Sequence, residues 1–405
     1  MITLSLGNCD VGKIPQSKNE FLKPYHWVGG VFKDHVSFRN DDRSKWCFFR
    51  EKAHNGEVKE LQTFLFNAGF MPRASKDGIF GYVTESSVRL FQEYVRTIEG
   101  VKSMKPDGIV GSGTWGHIRR WQQNNIVSEW GQSSATNASP EFNKWITLLN
   151  KVKTHYQQNP SPIINQVNRF APQSQTLKLD DWKFDPEDIH LIGIRKGQFD
   201  YNKDQGNHDI FLLLIRGMVF KFWGSTVPNQ KHADRNDVPF LVEGQHQYRF
   251  GWHKISEEKK VYRALKPYPK GVIVLRYDLD GDNTLATDRE SDRLDTEPNH
   301  SINIHWSGKG NSSWSAGCMV IASGSYINHR DQKVDCSKFA AINYNDLNDT
   351  VKKTKGAYNV FTDLILAYAP KGVDHLYFTL GRDSTLKLDA SLGQGYRENI
   401  LTKIK

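Results

Sequence analysis

Cysteine is scarce in this chain: four among 405 residues, at positions 9, 47, 318 and 336, with no two in a CxxC pair. A zinc knuckle needs such pairs and a disulfide scaffold needs a higher density, so neither is expected, nor any metal or other cofactor. Long apolar runs are lacking too. A membrane-spanning helix takes roughly 18 to 20 apolar residues, and the best stretch, Ile210 to Phe222, is broken by Arg216 and Lys221. The opening Met1 to Asp10 has no charged leader, long apolar segment or small-x-small cleavage site, so no signal peptide is expected and synthesis is read as cytoplasmic. Cys9 misses a lipoprotein box, because Asn8 stands where a small residue belongs. Blocks of like charge are also absent. The formal net charge is +9, yet Lys and Arg are scattered among Asp and Glu. That pattern excludes a stripe tracking a nucleic-acid backbone and fits a diffuse polyanion.

What is present begins with a repeat. Asp77-Gly-Ile-Phe-Gly-Tyr-Val-Thr84 recurs thirty residues on as Asp107-Gly-Ile-Val-Gly-Ser-Gly-Thr114, a spacing typical of repeated supersecondary units. Each Asp-Gly supplies a turn whose glycine tolerates positive φ. Thr84 and Thr114 are expected to cap the helices that come after them. Val58, Leu61, Leu65, then Val88, Phe91, Val95, then Trp115, Ile118, Trp121 have helical period, giving three short helices with two turns. These residues resemble the first type of peptidoglycan-binding domain, whose V-x-x-LQ-x-x-L, D-G-x-F-G-x-x-T and V-x-x-FQ patterns match Val58 to Leu65, Asp77 to Thr84 and Val88 to Gln92. The resemblance covers residues 54 to 123 and implies peptidoglycan as partner; a generic three-helix bundle is the plainer alternative.

Four segments are expected: an unclassified 1 to 52, the helical module at 54 to 123, a linker and connecting helix at 124 to 185, and a mainly β domain at 186 to 405. Residues 132 to 140, rich in Ser, Thr, Asn and Ala, have a flexible linker's composition, and the module is expected to be separable from the C-terminal domain. Phe142, Trp145, Leu149, Val152 and Tyr156 line one face of a helix that Pro160 and Pro162 terminate. Short β-rich runs come next, at 189–194, 210–215, 218–223, 272–277, 302–306 and 318–321. Residues 1 to 52 hold Trp27, Trp46, Phe48 and Phe49 without a classifiable pattern, and read as a segment packed on a neighbour or docking to a delivery machine.

The chemistry concentrates between Ile302 and Ile321. A strand ending in His305 leads through a Gly/Ser/Asn loop to Ser315-Ala-Gly-Cys318, and a second apolar strand comes directly after. An imidazole close to a thiol can take its proton, and thiolate is the reactive form. Backbone N–H groups at Gly317 and Cys318 are candidates to hold an oxyanion. Each residue alone also fits an ordinary core role. The segment resembles the catalytic motif of the L,D-transpeptidase (YkuD-type) family, in which a His precedes a Ser/Thr-His-Gly-Cys sequence. The resemblance implies that Cys318 is the nucleophile, His305 the general base, and Ser315 and Gly317 the supporting motif positions. Ala316 replaces the family's second His and Val320 its frequent Arg or Asn, which leaves rate and substrate choice open.

Upstream, the strand pattern of Val242 to His253 resembles the family's segment bordering the donor cleft. Arg249 is a candidate carboxylate clamp and His253 a substrate-contacting imidazole, with an incidental surface strand as the alternative. Trp306 and Trp314 are candidate cleft walls and equally good core residues. Asp278, Asp280 and Asp282 alternate as calcium ligands do, but Arg289 stands where the loop's Glu belongs, so they read as a solvated acidic turn. A zinc peptidase using His300, His305 and Asp295 is disfavoured, because no helical HExxH pair exists.

The combined expectation is an α+β multidomain chain: a three-helix peptidoglycan-binding module followed by a mainly β, L,D-transpeptidase-like cysteine domain. The implied activity is cleavage or exchange of a stem-peptide bond through a Cys thioester. The visible absence of a leader favours an endolysin-like cell-wall hydrolase, released by lysis or delivered by a phage-tail-like contractile injection particle and acting at the wall or periplasm. A cross-linking transpeptidase and an inactive wall anchor are the alternatives.

Overall fold

The computed structural model describes residues 2–6, 8, 10, 56–72, 76–160, 162–196, 206–229, 238–253, 262–267, 269–276, 293–310, 315–343, 354–370 and 373–405. Most of the segment 1 to 52, with Cys9, Cys47, Trp27, Trp46, Phe48 and Phe49, lies outside the described residues, as do Trp314 and the acidic run at 278–284.

Three helices carry the repeat: α1 (Glu57–Asn67), α2 (Tyr82–Thr97) and α3 (Ser112–Gln123). Each turn between them is organised by a buried glutamine from the preceding helix. Gln62 Nε2 donates to Asp77 Oδ1 at 2.9 Å, Ile79 O at 3.0 Å and Thr84 Oγ1 at 3.2 Å, while its Oε1 accepts from Gly78 N at 2.9 Å. Gln92 makes the same four bonds thirty residues later, to Asp107, Ile109, Thr114 and Gly108. Gly78 and Gly108 take positive φ, 73° and 80°, as the Asp-Gly turns require. The expected threonine caps are not formed. Gly81 and Gly111 occupy the N-cap positions without side-chain caps, and Thr84 and Thr114, inside the first turns, hold the glutamines instead. The described part of the N-terminal segment lies across both turns: Leu4 bridges Val110, Asp10 N donates to Gly78 O, and the Asp10 carboxylate accepts from Val58 N and Lys59 N at the start of α1.

After a short turn of helix, α4 (Glu129–Gln132), residues 134–137 close a hydrogen-bonded turn that docks on Gly217, where Ser139 N donates to Gly217 O. Ser139 then caps α5 (Pro140–Gln158). Pro162 does not merely end that helix: it opens α6 (Pro162–Phe170), because proline's fixed φ suits a first turn and its missing N–H costs nothing there.

Thirteen strands come after it among the described residues: β1 (His190–Arg195), β2 (Asp209–Ile215), β3 (Met218–Ser225), β4 (Pro239–Leu241), β5 (Gly244–His253), β6 (Tyr262–Lys266), β7 (Val274–Arg276), β8 (Arg293–Leu294), β9 (Ile304–Trp306), β10 (Met319–Ile321), β11 (Ser325–Ile327), β12 (Lys333–Asp335) and β13 (His375–Arg382). The main sheet runs β10-β9-β6-β5-β13-β1-β2-β3-β11-β12, and β10 also pairs with β3. That second pairing closes the strands from β10 round to β3 into a barrel, with the β11–β12 hairpin hanging from β3. A separate sheet orders β4-β7-β8. Helices α7 (Ala357–Tyr368), α8 (Leu388–Leu392) and α9 (Tyr396–Ile404) complete the chain. Among the described residues no helix is long and apolar enough to cross a membrane.

The helical module and the barrel share one core. A single buried cluster runs from Val58, Phe91 and Trp121 of the module to Phe220, Tyr248 and Trp306 of the barrel. Helix α7, apolar on nearly every side, is buried between α2 and the sheet. At their contact the Arg89 guanidinium donates to both Asp363 oxygens at 2.7 and 2.6 Å. Arg263 of β6 reaches the same carboxylate at 2.5 Å and Glu85 at 2.9 Å. A module expected to be separable is thus joined to the barrel by buried apolar surface and a buried charge network.

Candidate functional site

Parallel pairing of β9 with β10 sets the site. Met319 stands beside Ile304 and Val320 beside His305, which puts Cys318, just before β10, beside Asn303, just before β9. The half-buried Cys318 sulfur accepts from Asn303 N at 3.3 Å and donates to Ser301 O at 3.1 Å. Donation to a carbonyl is possible only for the thiol. Burial pushes the Cys318 thiol up, against the Asn303 N–H, the Ser315 hydroxyl and the Lys266 ammonium, which pull it down. At the resting sulfur, desolvation outweighs the groups that favour thiolate.

His305 lies two residues beyond Asn303 on the same face, roughly 6.6 Å of strand rise. Its Nδ1 donates to Trp306 O at 2.9 Å, and Tyr262 Oη lies 3.1 Å from the same nitrogen. With the ring proton on Nδ1 and donated to the Trp306 carbonyl, Nε2 is the basic nitrogen. The His253 ring is stacked on His305, centroids 4.4 Å apart and planes 13° from parallel. His253 Nδ1 accepts from Asn303 Nδ2 at 3.4 Å.

The structure thus gathers Cys318, His305, His253, Ser315 and Gly317. Ser315 Oγ accepts from Gly317 N at 3.3 Å, so one of the two expected oxyanion donors is engaged by its own loop. Gly317 is held against Pro239: a Cβ there would lie 2.7 Å from Pro239 Cγ, so no larger residue fits without moving β4. Arg249 points its charge to Asp374, 3.0 Å away, at the β5–β13 edge. Trp306 is fully buried in the core against Tyr262, so the wall role expected for it fails for want of exposed surface. His300 is exposed in the turn before β9. Asp295 is taken up by Arg276 at 2.6 Å, and among the described residues no three metal-ligating side chains converge.

Three residues at the site went unread in the sequence. Tyr262 and Lys266 sit on β6, a strand with no alternation strong enough to mark it, and Asn303 is an unremarked polar residue in an apolar run. Only the sheet register brings Lys266 and Asn303 to the sulfur and Tyr262 to His305.

Comparison with known families decides the identity of the helical part. Residues 54–118 match the family model described as "Putative peptidoglycan binding domain". The chain carries a peptidoglycan-binding module. That match ends before the first strand and leaves the barrel that bears Cys318 outside it. Neither the curated proteins nor the solved structures returned a match. The peptidoglycan-binding module is the part of the chain whose α2 is wedged against α7, so its placement is fixed relative to the Cys318 barrel.

Proposed function

We propose that the protein is held at the cell wall by its peptidoglycan-binding module and transfers a stem-peptide acyl group onto Cys318. The observation that carries the second half is the pairing of β9 with β10, which sets a half-buried thiol and an imidazole on one face of one sheet. In the proposed step the sulfur attacks the carbonyl carbon of a stem-peptide amide. An S–C bond forms as the C–N bond breaks, and the thiol proton passes through His305 to the leaving amine. Water resolves the thioester to a carboxylic acid and free thiol; an amine from a neighbouring stem resolves it to a cross-link. Hydrolysis is the preferred outcome. The test is intact-mass detection of an acyl adduct after incubation with purified muropeptides. The wild type should gain the acyl mass, Cys318→Ala should gain none, and His305→Ala should acylate on the order of 10²-fold more slowly. An adduct that persists in Cys318→Ala would sink the cysteine mechanism.

A second reading, a wall anchor without activity, draws on the resting state of the thiol, which donates to Ser301 O, and on Ala316 in place of the family's second motif histidine. It predicts no adduct at any pH with undiminished binding to sacculi.

A further inference from the structure

Asn303 carries an unanswered polar atom next to the nucleophile. The residue is 7 % exposed, and its Oδ1 is buried without a hydrogen-bond partner. Native folds rarely leave a buried amide oxygen unmet, and one that stays unmet calls for an explanation, a catalytic role among them. Every other polar group of Asn303 has an assignment. Its N–H is shared between Ser301 O at 3.0 Å and the Cys318 sulfur at 3.3 Å, its C=O accepts from Met319 N at 2.9 Å, and its Nδ2 donates to His253 Nδ1.

The register shows which residues share the row of Asn303. Leu265 of β6 pairs with Ile304 of β9, so Lys266 falls opposite Asn303, as Arg249 of β5 falls opposite Lys266. Arg249, Lys266, Asn303 and Cys318 therefore form one row across four neighbouring chain segments. In that row Arg249 is paired with Asp374, which leaves Asn303 Oδ1 as a neutral acceptor beside Lys266 and the thiol. A carbonyl or carboxylate of a bound substrate would be repelled by it; an N–H would complete it.

We propose that Asn303 is a specificity-determining residue that accepts a hydrogen bond from the backbone N–H of the residue supplying the scissile carbonyl. The inference rests on the acyl-transfer reading of Cys318 and deepens it by naming the group that selects the donor, an N–H that fatty-acyl donors lack. A site built around such an acceptor rejects the analogue without the donor, because the buried oxygen is then left unpaired.

The probe is a pair of synthetic stem peptides that differ only in that N–H, one with the amide and one with an ester oxygen in its place, the scissile amide being kept in both. Their affinities are measured by calorimetry on full-length Cys318→Ala, which binds without reacting. The amide peptide should bind roughly 10- to 100-fold more tightly. Adding Asn303→Leu should bring the two affinities together. Adding Asn303→Asp, which has acceptors only, should keep the preference, and guards against a Leu variant that fails to fold. Equal affinities on the Asn303-containing protein, or a preference that survives Asn303→Leu, overturns the proposal, as does the absence of binding. Acylation of the wild type is scored separately by mass. Discrimination without acylation would retain the Asn303 assignment and reject the acyl-transfer reading, whereas acylation without discrimination would do the reverse.

Discussion

At the Cys318 sulfur, desolvation opposes ionisation while the Asn303 N–H, Ser315 hydroxyl and Lys266 ammonium favour it, and the net direction is upward from the ordinary value near 9. Lys266 responds in kind: burial lowers its pKa and the facing Cys318 raises it. Since only thiolate reacts, alkylation of the free protein by iodoacetamide should be slow at neutral pH and should rise only above the ordinary thiol range. Lys266→Met should raise the thiol further and move the reactivity profile to still higher pH. The measurement is the rate of mass gain at Cys318 against pH, with the fully buried Cys336 as the unreactive reference. Rapid alkylation near pH 7 would mean that the sulfur is less desolvated than the structure places it. The residue types at this site were legible in sequence because a His, a glycine-rich loop and a Cys are close in the chain. The sign of the thiol shift was not, since it depends on the Asn303 N–H, Lys266 and the depth of burial, none of which a linear motif encodes.

Within an element, the module's two turns show how a repeat can be readable while its cause is hidden. The Asp-Gly pairs and the helical period announced turns and helices, and the threonines looked like caps. Their actual partners, Gln62 and Gln92, are only 1 % exposed and sit in mid-helix, where an uncharged polar residue is easily taken for surface. Each glutamine bonds both ends of its turn, so replacing it with an apolar residue strands an aspartate, a carbonyl and a glycine N–H together. Gln92→Leu should cost about 2–3 kcal/mol and expose the Gly108 amide to hydrogen exchange, leaving the Gly78 amide protected by Gln62. The reverse pattern is expected for Gln62→Leu. If either variant loosened both turns equally, the two copies would be one cooperative unit and the independent-turn reading would be wrong. Strand β5 was legible for a related reason. The alternation of Tyr248, Phe250 and Trp252 with Gln247, Arg249 and Gly251 survives in the fold, with the aromatic set buried. Strands β6 and β13 carry no such alternation, and their places came from pairing alone.

Across the whole molecule, the question is whether binding module and barrel fold as one body. Composition at 132–140 argued for a hinge, but long-range contacts are invisible to composition, and the core continues through α2 and α7. Arg89 and Arg263 are both almost fully buried and share the Asp363 carboxylate, with Glu85 as their other partner. Burial, with these two cations nearby, draws Lys355 down to about 8. Removing the central carboxylate leaves two buried guanidiniums to be satisfied by one glutamate, and breaking such a pair costs about 3–5 kcal/mol. Asp363→Asn should therefore destabilise the entire chain rather than one part of it. Module and barrel can be tracked separately, by hydrogen exchange at amides of α3 and of β1, both remote from the substitution. A shared core requires that the two sets of amides lose protection at the same denaturant concentration, and that Asp363→Asn lower both midpoints together. Deleting residues 54 to 123 would strip α7 of its partner and uncover Asp363, so that variant should lose the cooperative transition. A truncated chain that keeps a sharp transition at the full-length midpoint would show instead that the barrel stands without the module.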